Sequence, residues 1–363
     1  MADIEAEREP SEQTRAKAKP SFWARLRDTV PASSVLLVLG VLVLQLAFIF
    51  SYVGAFHAPT PHRIPIDIAA PGQMAPQFAA QLNSISGTRL HATSVSDQAT
   101  AQGDVRSGSR SAALIVDPTG KTDRLLVASG GGAAVVSAVE AIMNQVEASR
   151  QRTVTVSDVV PLQSGDARGL TGFYLVIGWL VGGYLVTALL GVTKGARPAT
   201  ARLAAIRLLA LVPYAVVSGL GGALIVGPML GALTGHLVAL WLLGTLLVLS
   251  AATVTMALQV VFGVLGIGVT LLLFVVLGNP SAGGAFQASL LPAFWRALGG
   301  ALPNGAGTDS VRRIVYFNGH GIAGHFIVVA AYVAAGAIIA MTVSGLRARQ
   351  TTMKGASVES WVP

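Results

Sequence analysis

Apolar and polar positions alternate on two scales along the chain. On the coarse scale, long apolar runs lie near 33–56, 171–192, 206–228, 235–256, 259–278 and 322–345, each at or close to the roughly 20 residues that a helix needs to cross a hydrocarbon core. The first, SSVLLVLGVLVLQLAFIFSYVGAF, exceeds the apolar region of about 7–15 residues in a cleaved signal peptide, so a retained signal anchor is expected. On the fine scale, 57–168 alternates between strand-like and helix-like periods. RIPIDIA (63–69), LHATSVS (90–96), SAALIVD (111–117), RLLVAS (124–129) and TVTVSDVVPL (153–162) read as strands. PQFAAQLNSI (76–85), a short stretch near 98–105 and GAAVVSAVEAIMNQVEAS (132–149) read as helices, and PTGK makes a turn. At about 110 residues this insertion is of normal size for one α/β core.

The expectation is therefore an α-helical integral membrane protein with six transmembrane helices and an extracytoplasmic α/β domain inserted between the first and second. Its parts are a polar tail (1–32), with FWARLR (22–27) at the membrane surface, the signal anchor (33–56), the α/β domain (57–168), a five-helix membrane domain (169–345) with outer interfacial helices at 280–320, and a second tail (346–363). Composition agrees: 53% of residues are hydrophobic and 12% charged, against about 25% charged in soluble domains. Charge sets the orientation. The net charge of +8 gathers beside the spans: six Lys and Arg precede the first, Lys194, Arg197, Arg202 and Arg207 lie in the 193–207 connection, and Arg347, Arg349 and Lys354 follow the last. By the positive-inside rule both termini are cytoplasmic, in the plasma membrane, and the basic balance reflects topology rather than nucleic-acid binding. With no cysteine, disulfide and thiolate chemistry are excluded.

Candidate chemistry is sparse. From Leu170 to Thr308 there is no Asp or Glu, and the candidate histidines of this half, His236 and His325, fall at span ends, which disfavours ion-coupled transport. GGGAAVVS (130–137) lacks the Lys and Ser/Thr of a phosphate-binding loop. No nucleophile elbow or metal-ligand spacing appears; His57, His62, His91 and Asp67 read as surface or juxtamembrane groups. No enzyme, cofactor or metal is expected. Gly178 and Gly182, and likewise Ser218 and Gly222, are spaced to let helices approach closely, within a tight bundle or across a dimer.

Two stretches carry the functional expectation. VVPLQSGDARGL (159–170) joins the last strand to the second span with almost no linker, and Asp166 and Arg168 could pair with each other or with the 278–320 element. In that element a Gly-Asn-Pro break ends a span. An amphipathic run follows that places Leu290, Leu291, Phe294, Trp295 and Leu298 on one face, and PNGAG makes a turn before SVRRIVYF. Burying Arg296, Pro303, Arg312 and Arg313 in a full crossing would be costly, so helices lying in the outer interface or dipping part-way in are expected, with Trp295 at headgroup level.

Pro161, Gly165, Asp166, Arg168 and Gly169, with GNPSAGG (278–284), LLPAFWRALGGALPNGAG (290–307) and VRRIVYF (311–317), resemble the phage-infection-protein (YhgE/Pip-like) branch of the ABC-2-type membrane transporter-like family. The resemblance spans most of 33–345, in layout more than in motif across the α/β domain. It implies a type-2 exporter permease fold with short outer helices before the last span. It also implies a separate ATPase subunit and a drug, lipid or polysaccharide substrate. The long outer domain belongs to this branch, some of whose members act as receptors or secretion accessories. The leading expectation is thus a permease-like protein, a homodimer or a heterodimer with a sister permease, that exports or assists export of an amphipathic or lipidic substrate. The alternative is a cell-surface scaffold or receptor anchored by its spans. Candidate gating or coupling residues are Pro161, Asp166, Arg168, Gly169, Asn279, Pro280, Trp295, Arg296 and Pro303.

Overall fold

The computed structural model describes residues 32–87 and 89–359. FWARLR (22–27), expected at the membrane surface, and almost all of the expected N-terminal tail fall outside the described residues. The chain divides into two units, Met1–Leu46 and Ala47–Pro363. In the first, the described residues form the start of α1 (Ala32–Phe56), which carries no charged side chain. The second holds the rest of α1, a sheet and a helical bundle.

The sheet has five strands, β1 (Ile64–Ala69), β2 (Leu90–Val95), β3 (Ala112–Ile115), β4 (Thr122–Val127) and β5 (Thr153–Asp158), in the order β2-β1-β3-β4-β5. β1 runs parallel to β2 and β3, β3 and β4 form an antiparallel hairpin, and β4 runs parallel to β5. β5 stops at Asp158, earlier than the expected 162. Alternation assigns each strand two faces. Ile64, Ile66, Ile68, Leu114 and Leu125 pack beneath α2 (Met74–Asn83) and α4 (Ala133–Ser149). Ala113 and Leu126 face the other way, toward Ala101 and Val105 of α3 (Gln98–Arg106), whose first turn is capped by the Asp97 side chain accepting from Thr100 N. Both faces borrow from far along the chain: Leu290 (3% exposed) completes one and Phe317 (5%) the other. The expected self-contained core is thus corrected, because the sheet's apolar rim is closed by residues of the 278–320 segment.

Among the described residues, five helices are long and apolar enough to cross a membrane: α1, α5 (Thr171–Lys194), α6 (Ala201–Leu224, extended by a π-helical turn Ile225–Met229), α7 (Leu237–Phe262) and α11 (Ala323–Glu359). α7 is central and touches α5, α6 and α11. The apolar run expected as a span at 259–278 is instead divided. α7 continues to Phe262, the chain turns at Gly263 with φ +67°, and a shorter helix, α8, covers Leu265–Ser281. At 17 residues α8 is about 25 Å long. It does not end at the Gly-Asn-Pro sequence either, since Asn279 and Pro280 form its last turn. The C-terminal tail expected from 346 is helical to Glu359, so α11 runs past the predicted span end.

Bundle packing depends on shape. Trp179 of α5 lies where Cβ atoms on Gly222 and Gly244 would collide with its ring, and its indole Nε1 donates to Ser218 O at 3.2 Å. Gly183 sits against the Val248 carbonyl. Of the glycine pair singled out in the sequence, Gly182 faces Tyr214 and Ser218 within the chain, whereas Gly178 is exposed and meets nothing within 4 Å. Of the four positions chosen by spacing, Gly182, Ser218 and Gly222 thus make close contacts and Gly178 does not, while Gly183 and Gly244 were missed.

Basic residues gather at one end. Arg347 donates to the carbonyls of Val260 and Val261, and Arg197 also reaches Val261 O, which satisfies the last carbonyls of α7. Arg207, expected in a connection, lies inside α6 and donates to Lys194 O and Gly195 O at 2.7 Å. α5 runs about 36 Å from this end to Thr171. There it meets the chain that leaves the sheet, so the sheet domain and the basic connections lie at opposite ends of α5.

Candidate functional site

The seam between the sheet domain and the bundle brings most of the predicted residues together. After β5, Leu162 N donates to Ser129 Oγ at 3.1 Å, and Ser129 Oγ donates to Asp158. Pro161 is exposed. Gln163 then grips the α6–α7 connection: its Oε1 accepts from Thr234 N at 2.8 Å, and Gly165 lies so close to Gly231 O that any side chain would overlap it. Asp166, 3% exposed, accepts from Thr171 N at 3.0 Å and from Tyr316 Oη at 2.7 Å. Burial, reinforced by the Asp166 carboxylate, holds the Tyr316 phenol well above its ordinary range. Asp166 therefore meets the 278–320 element, one of the two partners expected for it. Arg168 is exposed and forms no ion pair among the described residues. Gly169 closes the turn at φ +67°, a conformation that favours glycine.

The 278–320 element supplies the other side of the seam. It holds two short helices, α9 (Ala293–Ala301) and α10 (Pro303–Tyr316). PNGAG, expected as a turn, is the buried start of α10, with Pro303 at the first helical position, where a missing N–H costs nothing. Its small residues let α10 enter the bundle: Gly305 abuts Gly299 O, and Gly307 abuts Leu247 and Val176. Burial overrides turn propensity here. Trp295 is buried (6% exposed) beside Ala55 and Leu291. The expected amphipathic face is broken, since Leu290 and Leu291 precede α9 and Phe294 is 59% exposed. Arg296 donates to Leu291 O at 3.2 Å.

Asn279 and Pro280 have distinct structural tasks. Pro280 offers no N–H to Val276 O four residues earlier, and that carbonyl accepts from Ser51 Oγ of α1 instead. Over Leu272–Gly278 the helix widens to a π-turn, and Asn304 Nδ2 donates both to Phe274 O and to Asn279 Oδ1 at 2.9 Å. Backbone groups freed in an apolar bundle are thereby satisfied.

The sheet domain rests on this element through its loops. Tyr316 packs on Gly130, Phe317 on Gly108 and Gly131, and Gln287 on Gly132. His62 N donates to Ser289 O at 2.8 Å. Sequence reasoning missed Gln163, Thr234, Gly130 and the aromatic pair Tyr316–Phe317. An exposed-looking Tyr-Phe after a basic pair was the available signal. The other candidates do not converge. His91 is exposed on β2, Asp67 is buried and accepts from Arg110 Nε at 2.7 Å, and no group of three His, Asp or Glu able to hold a metal occurs among the described residues. His236 and His325 sit at helix starts, as expected. Comparison of the chain with family models, with curated proteins and with solved structures returns no match.

Proposed function

We propose that this chain is a permease-like protein of ABC-2 type that crosses the membrane six times and exports, or assists export of, an amphipathic or lipidic substrate with a separate ATPase. One observation carries the reading: between α8 and α11 the chain folds back into the bundle as α9 and α10, and α10 is at once buried against α5 and α7 and fastened to the sheet domain through Asp166–Tyr316. Movement of α10 would reach both parts. α8 supports the sixth crossing, since it starts beside the basic end of α7 and finishes against Asn304 and Gly299 near the sheet domain. The basic cluster at the far end favours a cytoplasmic location there and an extracytoplasmic sheet domain. Spans without carboxylates suit an apolar cargo and leave the energy source to a partner. Gly178, exposed on α5, is available to lipid or to a second permease chain in a homodimer or heterodimer.

The test is affinity purification of the full chain from native membranes in mild detergent. A stoichiometric ATPase, lost on disruption of the basic end by Arg197→Glu, is the expected outcome. Reproducible recovery of an envelope or secretion protein in its place, with no ATPase, would replace this reading with a surface scaffold.

A further inference from the structure

A cavity of about 230 Å³ lies in the seam. One wall is the sheet domain, with Arg110 and Gly132. The other is the 278–320 element with Gln287, Arg312 and Arg313, closed by His325 of α11. Three guanidinium groups thus line a space whose lining includes one carboxylate, Asp309, already paired with Arg312 at 2.6 Å. Arg110 spends Nε on the buried Asp67, and Arg313 spends Nη1 on His320 O. Both terminal nitrogens of Arg110, and Nε and Nη2 of Arg313, have no protein acceptor among the described residues. Such planar donor sets match the oxygens of a phosphate group. Gln287 adds a second observation, since its Oε1 is buried beside Gly132 without a hydrogen-bond partner. A buried acceptor left unsatisfied is costly, and a ligand hydroxyl would supply the missing donor. The cavity is smaller than the 300–1,000 Å³ usual for drug-sized ligands, which suits a headgroup. Its His325 wall belongs to the first turn of a candidate membrane span, and the end of a span is where headgroups would meet it.

From this geometry we infer that the cavity is a binding site for a phosphate ester bearing a neighbouring hydroxyl, such as a phosphoglycerol group. The group comes either from a membrane lipid or from a soluble phosphate ester. The site does not depend on outward transport.

The experiment uses the full-length protein in nanodiscs of phosphatidylcholine doped with phosphatidylglycerol. Lipid retained through delipidation is read by native mass spectrometry, with glycerol 3-phosphate as the soluble competitor. Wild type retains phosphatidylglycerol over phosphatidylcholine, and Arg313→Gln lowers that retention about tenfold, as loss of one charge-assisted contact requires. Arg313→Lys lowers it less, and Arg349→Gln, an exposed charge on the far stretch of α11, leaves it unchanged. Failure of glycerol 3-phosphate to displace the lipid identifies a lipid headgroup as the ligand; displacement, or direct binding of the competitor, identifies a soluble ester. Wild type that prefers neither phosphatidylglycerol nor glycerol 3-phosphate overturns the site, whatever the variants do. So does an Arg313→Gln effect no larger than that of Arg349→Gln.

Discussion

The sheet domain and the bundle bury polar groups in opposite ways. Three fully buried carboxylates in the sheet domain, Asp67, Asp123 and Glu147, each face an arginine: Arg110, Arg152 and Arg150. The bundle has no carboxylate from Leu170 to Thr308. Many of its hydroxyls turn back onto their own helices, as Thr187 does to Gly183 O at 3.1 Å, Thr255 to Ala251 O at 2.6 Å and Thr270 to Gly266 O at 2.9 Å. The contrast follows from solvent. An ion pair can be assembled at a water-facing domain, where Arg110 and Arg152 stay part-exposed, but charges inside a hydrocarbon layer are expensive. Once hydroxyls satisfy themselves within a helix, little except shape is left to hold one helix to the next. The sheet domain is thus most vulnerable at its charges and the bundle at its glycines.

The largest effect tests the first half of that contrast. Asp123→Ala takes from Arg152 the hydrogen-bond acceptor of Nε and one of the two acceptors of Nη2, frees Asp117 N, and should cost about 3–5 kcal/mol. Thermal unfolding of the detergent-purified chain reads it, and a loss below 1 kcal/mol would refute the claim. Next comes shape. Gly183→Ala sets a methyl against the Val248 carbonyl and should cost about 1–3 kcal/mol, while Gly178→Ala, with open space around it, should stay within about 0.5 kcal/mol. Equal effects at the two sites would break the comparison.

At the seam the two solutions meet. Tyr316→Phe removes the donor to Asp166 and leaves a buried carboxylate oxygen short of a partner, at about 1–3 kcal/mol. Limited proteolysis near residue 165 should accelerate. The pH dependence has a definite sign. Because the folded phenol titrates above its unfolded value near 10, the advantage of wild type over Tyr316→Phe is complete below about pH 10 and shrinks as pH rises beyond it. A gap that widened instead would mean the phenol is not buried. The smallest effect belongs to Arg168→Ala, where exposure and lack of an ion partner predict a change within about 0.5 kcal/mol.

Most elements of the fold were legible from periodicity, because strands buried on one face and long apolar helices each leave a one-dimensional trace. The five strands and the three helices around them fall within a few residues of expectation. What periodicity could not convey is contact between distant segments. Asp166 was singled out for its place before a span, but its partner Tyr316 lies 150 residues away. The runs 235–256 and 259–278 imply a break between two helices, but hydropathy stays high through Gly263, so its position, a few residues later at one left-handed glycine, was not legible. PNGAG misled for the reverse reason: its composition favours a turn, and only a tightly packed bundle recruits it as helix. Pro161 and Arg168, chosen for the resemblance of their stretch and for their place before a span, stay at the surface.

The borrowed core has a consequence for synthesis. β5 is complete at Asp158, yet Leu290 and Phe317, which close the two faces of the sheet, are made roughly 130 and 160 residues later. At about 5–20 residues per second the nascent domain waits on the order of ten to thirty seconds with two apolar openings uncovered. Meanwhile four further apolar helices leave the ribosome. Until that element arrives neither face of the sheet is fully covered by its own chain, so completion of the core waits on the 278–320 segment rather than on the domain's own sequence.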